Sequence, residues 1–286
     1  MLSEPPRAAV RDAVSLALAE DLLPLGDLTA ALLPPGATAT ASLIAREPGV
    51  LAGGACVVET FHQLDTAVDV DCSLPEGSTL RPGAIVATIA GPLAPILSGE
   101  RTALNFVRHL SGVATLTRRF VDLATSASGG RTRILDTRKT TPGLRALEKA
   151  AVRAGGGSNH RANLSDAVMV KDNHLAGMSI AEAVSAARRA WPGRPVHVEC
   201  DTFAQLDEIL ATSADRAMVD NFTPEQVAEA VARVTGGRAG RCPELEVTGG
   251  VTLATVAAYA AACPDFISVG ALTHSAGVID LALDLG

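Results

Sequence analysis

Between residues 134 and 166 the chain reads ILDTRKTTPGLRALEKAAVRAGGGSNHRANLSD, with Arg138-Lys139 at the end of an apolar run and His160-Arg161 just after Gly155-Gly156-Gly157. Lys171 closes the next apolar run, AVMVKDN. Cationic groups drawn together in this way repel one another unless an anion neutralises them, so the arrangement predicts a polyanionic ligand. The only lysines are Lys139, Lys149 and Lys171, in a chain that otherwise takes its positive charge from Arg. Two of them fall in these motifs, where a compact ammonium does what a planar guanidinium cannot. The glycine run suits a loop whose N–H groups approach phosphate or carboxylate, and equally a flexible turn. Two later runs end in TGG (Thr248, Gly249, Gly250) and VGALTH (Gly270, His274), which predicts a monophosphate held by backbone and a helix N-terminus. Glu199 and Asp220 close neighbouring runs. Carboxylates amid cations serve as salt-bridge partners, as acceptors for ribose hydroxyls, as Mg²⁺ ligands, or as stabilisers of developing positive charge. HExxH, GxSxG, Walker and Rossmann sequences are missing, so those reaction classes lose their usual support.

The elements that must position these groups follow from the pattern after about Asp136. Six apolar runs (RILDTRK, AVMVKDN, VHVEC, RAMVDN, LEVTGG and FISVGA) each end in polar or glycine residues and give way to a helical pattern. Ser179/Glu182, Thr202/Gln205 and Thr223/Gln226 are capping-box pairs, the last with Pro224 at the first helical position. Alternating strands and helices of this kind make a parallel sheet with crossover helices. Asp136, Arg138, Lys139, Lys171, Glu199, Asp220 and Thr248 all lie at strand ends, as the groups around one mouth of an α/β barrel do. A doubly wound sheet would gather its site at one switch point instead. The first hundred residues, punctuated by Gly and Pro and lacking crossover helices, predict a separate α+β layer. ILSGERTALNFVRHLSGVATLTRRFVDLA predicts one long helix, or two broken at Ser111-Gly112.

Composition bounds the partners. The 286 residues are 48% hydrophobic and 3% aromatic, enough for an aliphatic core, and carry a net charge of -7, which argues against nucleic-acid or anionic-membrane binding. Five scattered cysteines without metal-ligand spacing predict reduced, buried thiols. With no secretory pattern and no long apolar stretch, a cytoplasmic location is expected.

In order along the chain, GDLTA, ERTALNF, DTRKTTPGLR, KAAVRAGGGSNHR, VKDNH, VDN and GALTHS resemble the quinolinate phosphoribosyltransferase family, the decarboxylating enzymes of NAD synthesis. The resemblance implies an incomplete, roughly seven-stranded α/β barrel with an N-terminal α/β sandwich domain. The sandwich would span 1–110, joined by 275–286, and the barrel 111–274. It implies quinolinate and phosphoribosyl pyrophosphate as substrates, and a homodimer, or a higher oligomer of such dimers, in which Arg101 reaches the partner's mouth. Thr137, Arg138, His160, Arg161 and Lys171 would bind quinolinate, with Lys139 near the pyrophosphate. Glu199 and Asp220 would lie near the ribose and hold Mg²⁺ directly or through water. Thr248, Gly249, Gly250, Gly270 and His274 would form the phosphate loops. The sequence departs from the family pattern at Thr248, commonly Ser, and at His197, commonly Glu, which leaves the charge around Glu199 open. Alternatives are a same-fold paralogue of the molybdenum-transport-associated kind, a Schiff-base lyase using Lys171, and a non-enzymatic metabolite sensor.

Overall fold

A computed structural model describes residues 4–236 and 242–286. Its elements run α1 (Arg7–Leu22), β1 (Thr38–Ala45), β2 (Gly49–Val50), α2 (Gly54–Leu64), β3 (Asp69–Cys72), β4 (Thr79–Leu80), β5 (Ile85–Pro92), α3 (Leu93–Ser128), β6 (Arg133–Leu135) and α4 (Arg145–Ala154). They continue with β7 (Val168–Val170), α5 (Asp172–Leu175), α6 (Ile180–Ala190), β8 (Val196–Cys200), α7 (Phe203–Leu210), β9 (Arg216–Asp220), α8 (Pro224–Gly236), β10 (Glu244–Thr248), α9 (Val256–Ala261), β11 (Phe266–Ser268), α10 (Ala271–His274) and β12 (Leu281–Leu285). The chain divides into two compact units. Met1–Arg118, Thr140–Gly156 and Leu272–Gly286 form the first; Arg119–Lys139 and Gly157–Ala271 form the second.

The first unit is an antiparallel sheet, β12-β1-β5-β3, covered by helices. Strand β1 alternates buried and less buried residues, so Ala41, Leu43 and Ala45 join Val57 and Phe61 of α2 and Ile96 and Val107 of α3 in one core. The C-terminal strand pairs along β1, from Ala41 opposite Leu285 to Ala45 opposite Leu281. Helix α3 runs unbroken for 36 residues, so Ser111-Gly112 is not a break. Those two residues are small because backbone comes close there. Ser111 Oγ donates to Ala52 O at 3.1 Å and accepts from Ala52 N–H at 3.0 Å, and a Cβ on Gly112 would strike the Gly277 carbonyl. The glycine run is likewise a packing device. Gly155 caps α4 through N–H to Ala151 O, a Cβ on it would collide with Thr117 Cβ at 2.6 Å, and Gly156 takes φ 91, the left-handed turn-out that glycine adopts freely.

All six apolar runs of the second unit are strands, in the parallel order β6-β11-β10-β9-β8-β7 of an incomplete barrel. The seventh position is reduced to one residue, Ser158, which bridges Leu135 in parallel at the β6 edge. The helix starts form as the sequence predicts: Ser179 Oγ accepts from Glu182 N–H at 3.2 Å while Glu182 Oε2 takes Ser179 N–H at 2.8 Å. Thr202 and Thr223 accept from Gln205 and Gln226 N–H, each at 3.3 Å. None of the five cysteines is in a disulfide, but only Cys56 and Cys200 are buried as expected; Cys263 is half-buried and Cys72 and Cys242 are exposed.

Candidate active site

Every second residue of a strand faces the same side. Met169, His197 and Glu199, Arg216 and Met218, Glu246 and Thr248, and Ser268 therefore share the inner face, with Lys171 just past β7. At the carboxyl ends of these strands lies a cavity of about 250 Å³. Four cationic side chains line it, Arg138, Lys139, Arg161 and Lys171, together with His160, Thr137 and Thr248. Its carboxylates are Glu199 and Glu246, and Met169, Met218 and Ser268 complete the wall.

The cations are arranged at a cost. Arg161 is held below the usual guanidinium range, first by burial and then by the facing Arg138 guanidinium. Its Nη1 donates to Ala167 O at 3.0 Å and its Nη2 approaches Met169 Sδ at 3.4 Å, which fixes the head group without neutralising it. Lys171 Nζ, by contrast, is in an ion pair with Glu199 Oε2 at 2.5 Å. This pairing suits a lysine that serves as a fixed cation, whereas a Schiff-base lyase would need the amine released from Glu199. The backbone N–H of Lys139 donates to Thr137 Oγ1 at 3.0 Å, turning the chain so that both side chains reach the cavity.

Asp220 stands beside the cavity rather than in its wall. It accepts from Asn221 Nδ2 at 2.8 Å, and Asn221 N–H donates to Thr248 O at 3.1 Å. Gly249 and Gly250 take φ 90 and 59, and a Cβ on Gly249 would meet Asp220 Oδ1 at 2.7 Å and Asn221 N at 2.8 Å. The TGG segment therefore wraps directly over Asp220. Gly270 follows β11, and Gly155, Gly156 and Gly157 are not cavity residues. Arg101 and His274 belong to the first unit, both exposed, Arg101 on α3 and His274 at the end of α10 with Nδ1 2.7 Å from Ser275 Oγ. Among the described residues, no group of three or more His, Cys, Asp or Glu gathers as a ready-made metal cage.

Two interior residues fall outside the strand-end pattern. His197 packs edge-on against His160, ring centroids 5.5 Å apart, and its pKa is pushed down to about 4 by burial first and then by the charge of Arg216. It is a neutral filler of the interior. Glu246 is fully buried, yet its carboxyl stays below the ordinary range, because His160 and Arg216 outweigh the effect of burial. Its signal was present in LEVTGG: two residues before Thr248, it must face the same way, and attention to strand ends alone passes over it.

The whole chain matches known proteins. Residues 27–111 match the family model "Quinolinate phosphoribosyl transferase, N-terminal domain", and residues 113–284 match "Quinolinate phosphoribosyl transferase, C-terminal domain". A nicotinate-nucleotide pyrophosphorylase [carboxylating] from Mycobacterium leprae is 42% identical over 294 residues, covering 100% of both chains. The protein of that name from Rattus norvegicus is 40% identical over 261 residues, covering 90% of this chain and 85% of its own. Among solved structures, the nicotinate-nucleotide pyrophosphorylase from Francisella tularensis superposes with a TM-score of 0.94 at 36% identity, over 100% of this chain and 99% of that one.

Proposed function

The chain belongs to the quinolinate phosphoribosyltransferase family, and from that premise we propose that it transfers phosphoribosyl from phosphoribosyl pyrophosphate to quinolinate, releasing pyrophosphate and carbon dioxide and forming nicotinate mononucleotide. The observation that carries the reading is the pair of guanidiniums, Arg138 and Arg161, in one cavity, where burial and the neighbouring Arg138 both work against the charge on Arg161 and a bound dianion would favour it. A pyridine dicarboxylate supplies that charge on a rigid ring.

The pyridine nitrogen attacks the anomeric carbon as pyrophosphate leaves, so positive charge develops on the sugar and negative charge on the leaving group. Carboxylates therefore belong near the sugar and cations near the pyrophosphate. Glu199 and Asp220 answer the first need and Lys139 the second, while Thr248, Gly249, Gly250, Gly270 and His274 are assigned to the phosphate. Once the ring nitrogen is quaternary, the neighbouring carboxylate leaves as carbon dioxide, because the resulting carbanion lies beside a positive charge. No protein nucleophile is needed, and the chain's part is positioning and electrostatics.

Mg²⁺ keeps water and substrate phosphate among its ligands, so it needs few carboxylates from the protein. Glu199 and Asp220 would hold it, and it would neutralise charge on the departing pyrophosphate. We place the protein in solution as a homodimer in the cytoplasm; none of the described helices is long and apolar enough to cross a membrane. Leu25 and Leu32, 78% and 84% exposed, support a second copy covering this face. Asp27 accepts from Ser98 Oγ at 2.8 Å and Asp21 from Thr102 Oγ1 at 3.2 Å, tying the leucine-rich segment to the turn of α3 that carries Arg101. The face that would dock the partner thus also presents Arg101 to it.

The test is release of labelled carbon dioxide from quinolinate, expected only with both phosphoribosyl pyrophosphate and Mg²⁺. Folded protein that releases none would overturn the assignment. Mixing Arg101→Ala with Lys171→Ala protein should restore turnover to some dimers if Arg101 works in trans, and none if it works in its own subunit.

A further inference from the structure

From Glu246 in the cavity wall, through Arg216, to the exposed Glu244, the second unit carries a line of charge that the transfer chemistry leaves unused. Arg216 Nη1 pairs with Glu246 Oε2 at 2.8 Å, and the same guanidinium stacks 4.0 Å over Phe266 and reaches Glu244 at 2.8 Å. Barrel interiors are ordinarily filled by branched aliphatic residues, so a buried Arg–Glu pair needs a reason beyond stability, to which such pairs contribute little. Glu246 Oε2 lies 3.4 Å from His160 Nε2. On the other side of that ring, Nδ1 accepts the backbone N–H of Arg161 at 2.7 Å. A ring nitrogen that accepts carries no proton, so the imidazole proton sits on Nε2, facing Glu246.

The same short segment is held from its other side. Asp136, fully buried at the end of β6, accepts the backbone N–H of His160 at 2.8 Å on Oδ1 and Asn159 Nδ2 at 2.5 Å on Oδ2. Asn159-His160-Arg161 is therefore clamped between two buried carboxylates, and the residue it delivers to the cavity is Arg161.

We infer that Glu246, backed by Arg216, is a positioning residue: it orients His160, whose Nδ1 in turn fixes the backbone of Arg161 at the anion cavity, and His160 serves as a spacer rather than as a cation on the substrate. The inference rests on the reading above that the cavity takes a pyridine dicarboxylate. It assigns the dicarboxylate's charge to Arg138, Arg161 and Lys171, and gives the histidine a role that no cation could fill, since a protonated Nδ1 would push the Arg161 N–H away.

Two measurements test it. Nitrogen-15 NMR of histidine-labelled wild-type protein, with His160→Asn identifying the resonance, should show Nε2 protonated and Nδ1 bare at neutral pH. A doubly protonated ring, or a proton on Nδ1, would overturn the inference whether or not the protein turns over quinolinate. In kinetics, Glu246→Gln should raise KM for quinolinate about tenfold, the loss of one charge-assisted contact, with kcat and KM for phosphoribosyl pyrophosphate within about twofold of wild type. An unchanged quinolinate KM, or a fall confined to kcat, would refute it. His160→Asn, which keeps an acceptor for the Arg161 N–H, should retain more quinolinate affinity than His160→Arg; the opposite order would show that a cation is what the position supplies.

Discussion

Gly249→Ala isolates what the TGG turn does. Its φ of 90 lies where an L-residue carries strain of about 1–2 kcal/mol. The added methyl would also sit 2.7 Å from Asp220 Oδ1 and 2.8 Å from the backbone nitrogen of Asn221. The second of these is main chain and cannot move aside by a rotamer change, so overpacking adds about 1–3 kcal/mol. Gly193 separates the two effects: its φ is 81, it belongs to the same unit, and a Cβ there meets nothing within 4 Å. Gly193→Ala should therefore lose only the strain, and Gly249→Ala should melt lower still by on the order of 5 °C, taking about 2–4 °C per kcal/mol for a domain of this size. Because the displaced groups are the side chain of Asn221 and, with it, Asp220, Gly249→Ala should also raise KM for the phosphoribosyl donor and lower kcat, while quinolinate binding measured alone stays within about twofold, as expected of sites with no shared partner. Calorimetry of both variants, with quinolinate titration, decides. Equal melting points for the two alanine variants would refute the steric argument, and a parallel loss of quinolinate affinity would refute the separation of the two subsites.

Arg138→Lys should raise KM for quinolinate about tenfold while preserving charge, because an ammonium cannot offer a carboxylate two parallel donors; steady-state kinetics with an unchanged KM would show that only charge matters there. Glu148 is fully buried on α4, and although burial works against it, donors from His109 Nε2 at 2.8 Å and Thr141 N–H at 3.0 Å hold its carboxyl below the ordinary range. Its stabilisation is thus present above the unfolded carboxylate pKa of about 4.3 and lost as pH falls through the lower folded value. Urea midpoints measured downward from neutral pH should fall on this limb in wild type and less steeply in Glu148→Gln; matching slopes would refute the assignment. Cys56 and Cys200, both pushed up to about 12 by burial first, should resist alkylation in the native protein while exposed Cys242 is modified, as mass spectrometry of the labelled chain would reveal.

Periodicity and local chemistry made much of this legible in advance. The six barrel strands and three helix starts follow from alternation and hydroxyl–Glu/Gln spacing, which act within a few residues. The cation cluster follows too, because strand ends share a mouth. Three features escaped for a common reason, that long-range packing decides them. Ser111-Gly112 looks like a break until Gly277 arrives from 165 positions later in the chain. Gly155 and Gly156 have the composition of an anion loop and are instead a helix cap pressed against Thr117. Glu246 reads as one more strand residue until the sheet curls and the alternation turns it inward beside Arg216 and His160.

The shortened seventh strand sets where this barrel can move. Among the described residues β7 pairs only with β8, and the far edge, at β6, is extended by the single bridge to Ser158. A closed cylinder shares any displacement around its full girth; one with a seam lets an edge strand shift by yielding few hydrogen bonds. The seam falls between the Asn159–Arg161 segment and the strand leading to Lys171. A shift of the β7 edge would therefore yield few hydrogen bonds beside Lys171, while the opposite lip of the seam, Asn159–Arg161, stays fastened to Asp136, so the two sides of the mouth differ in how firmly they hold their cations.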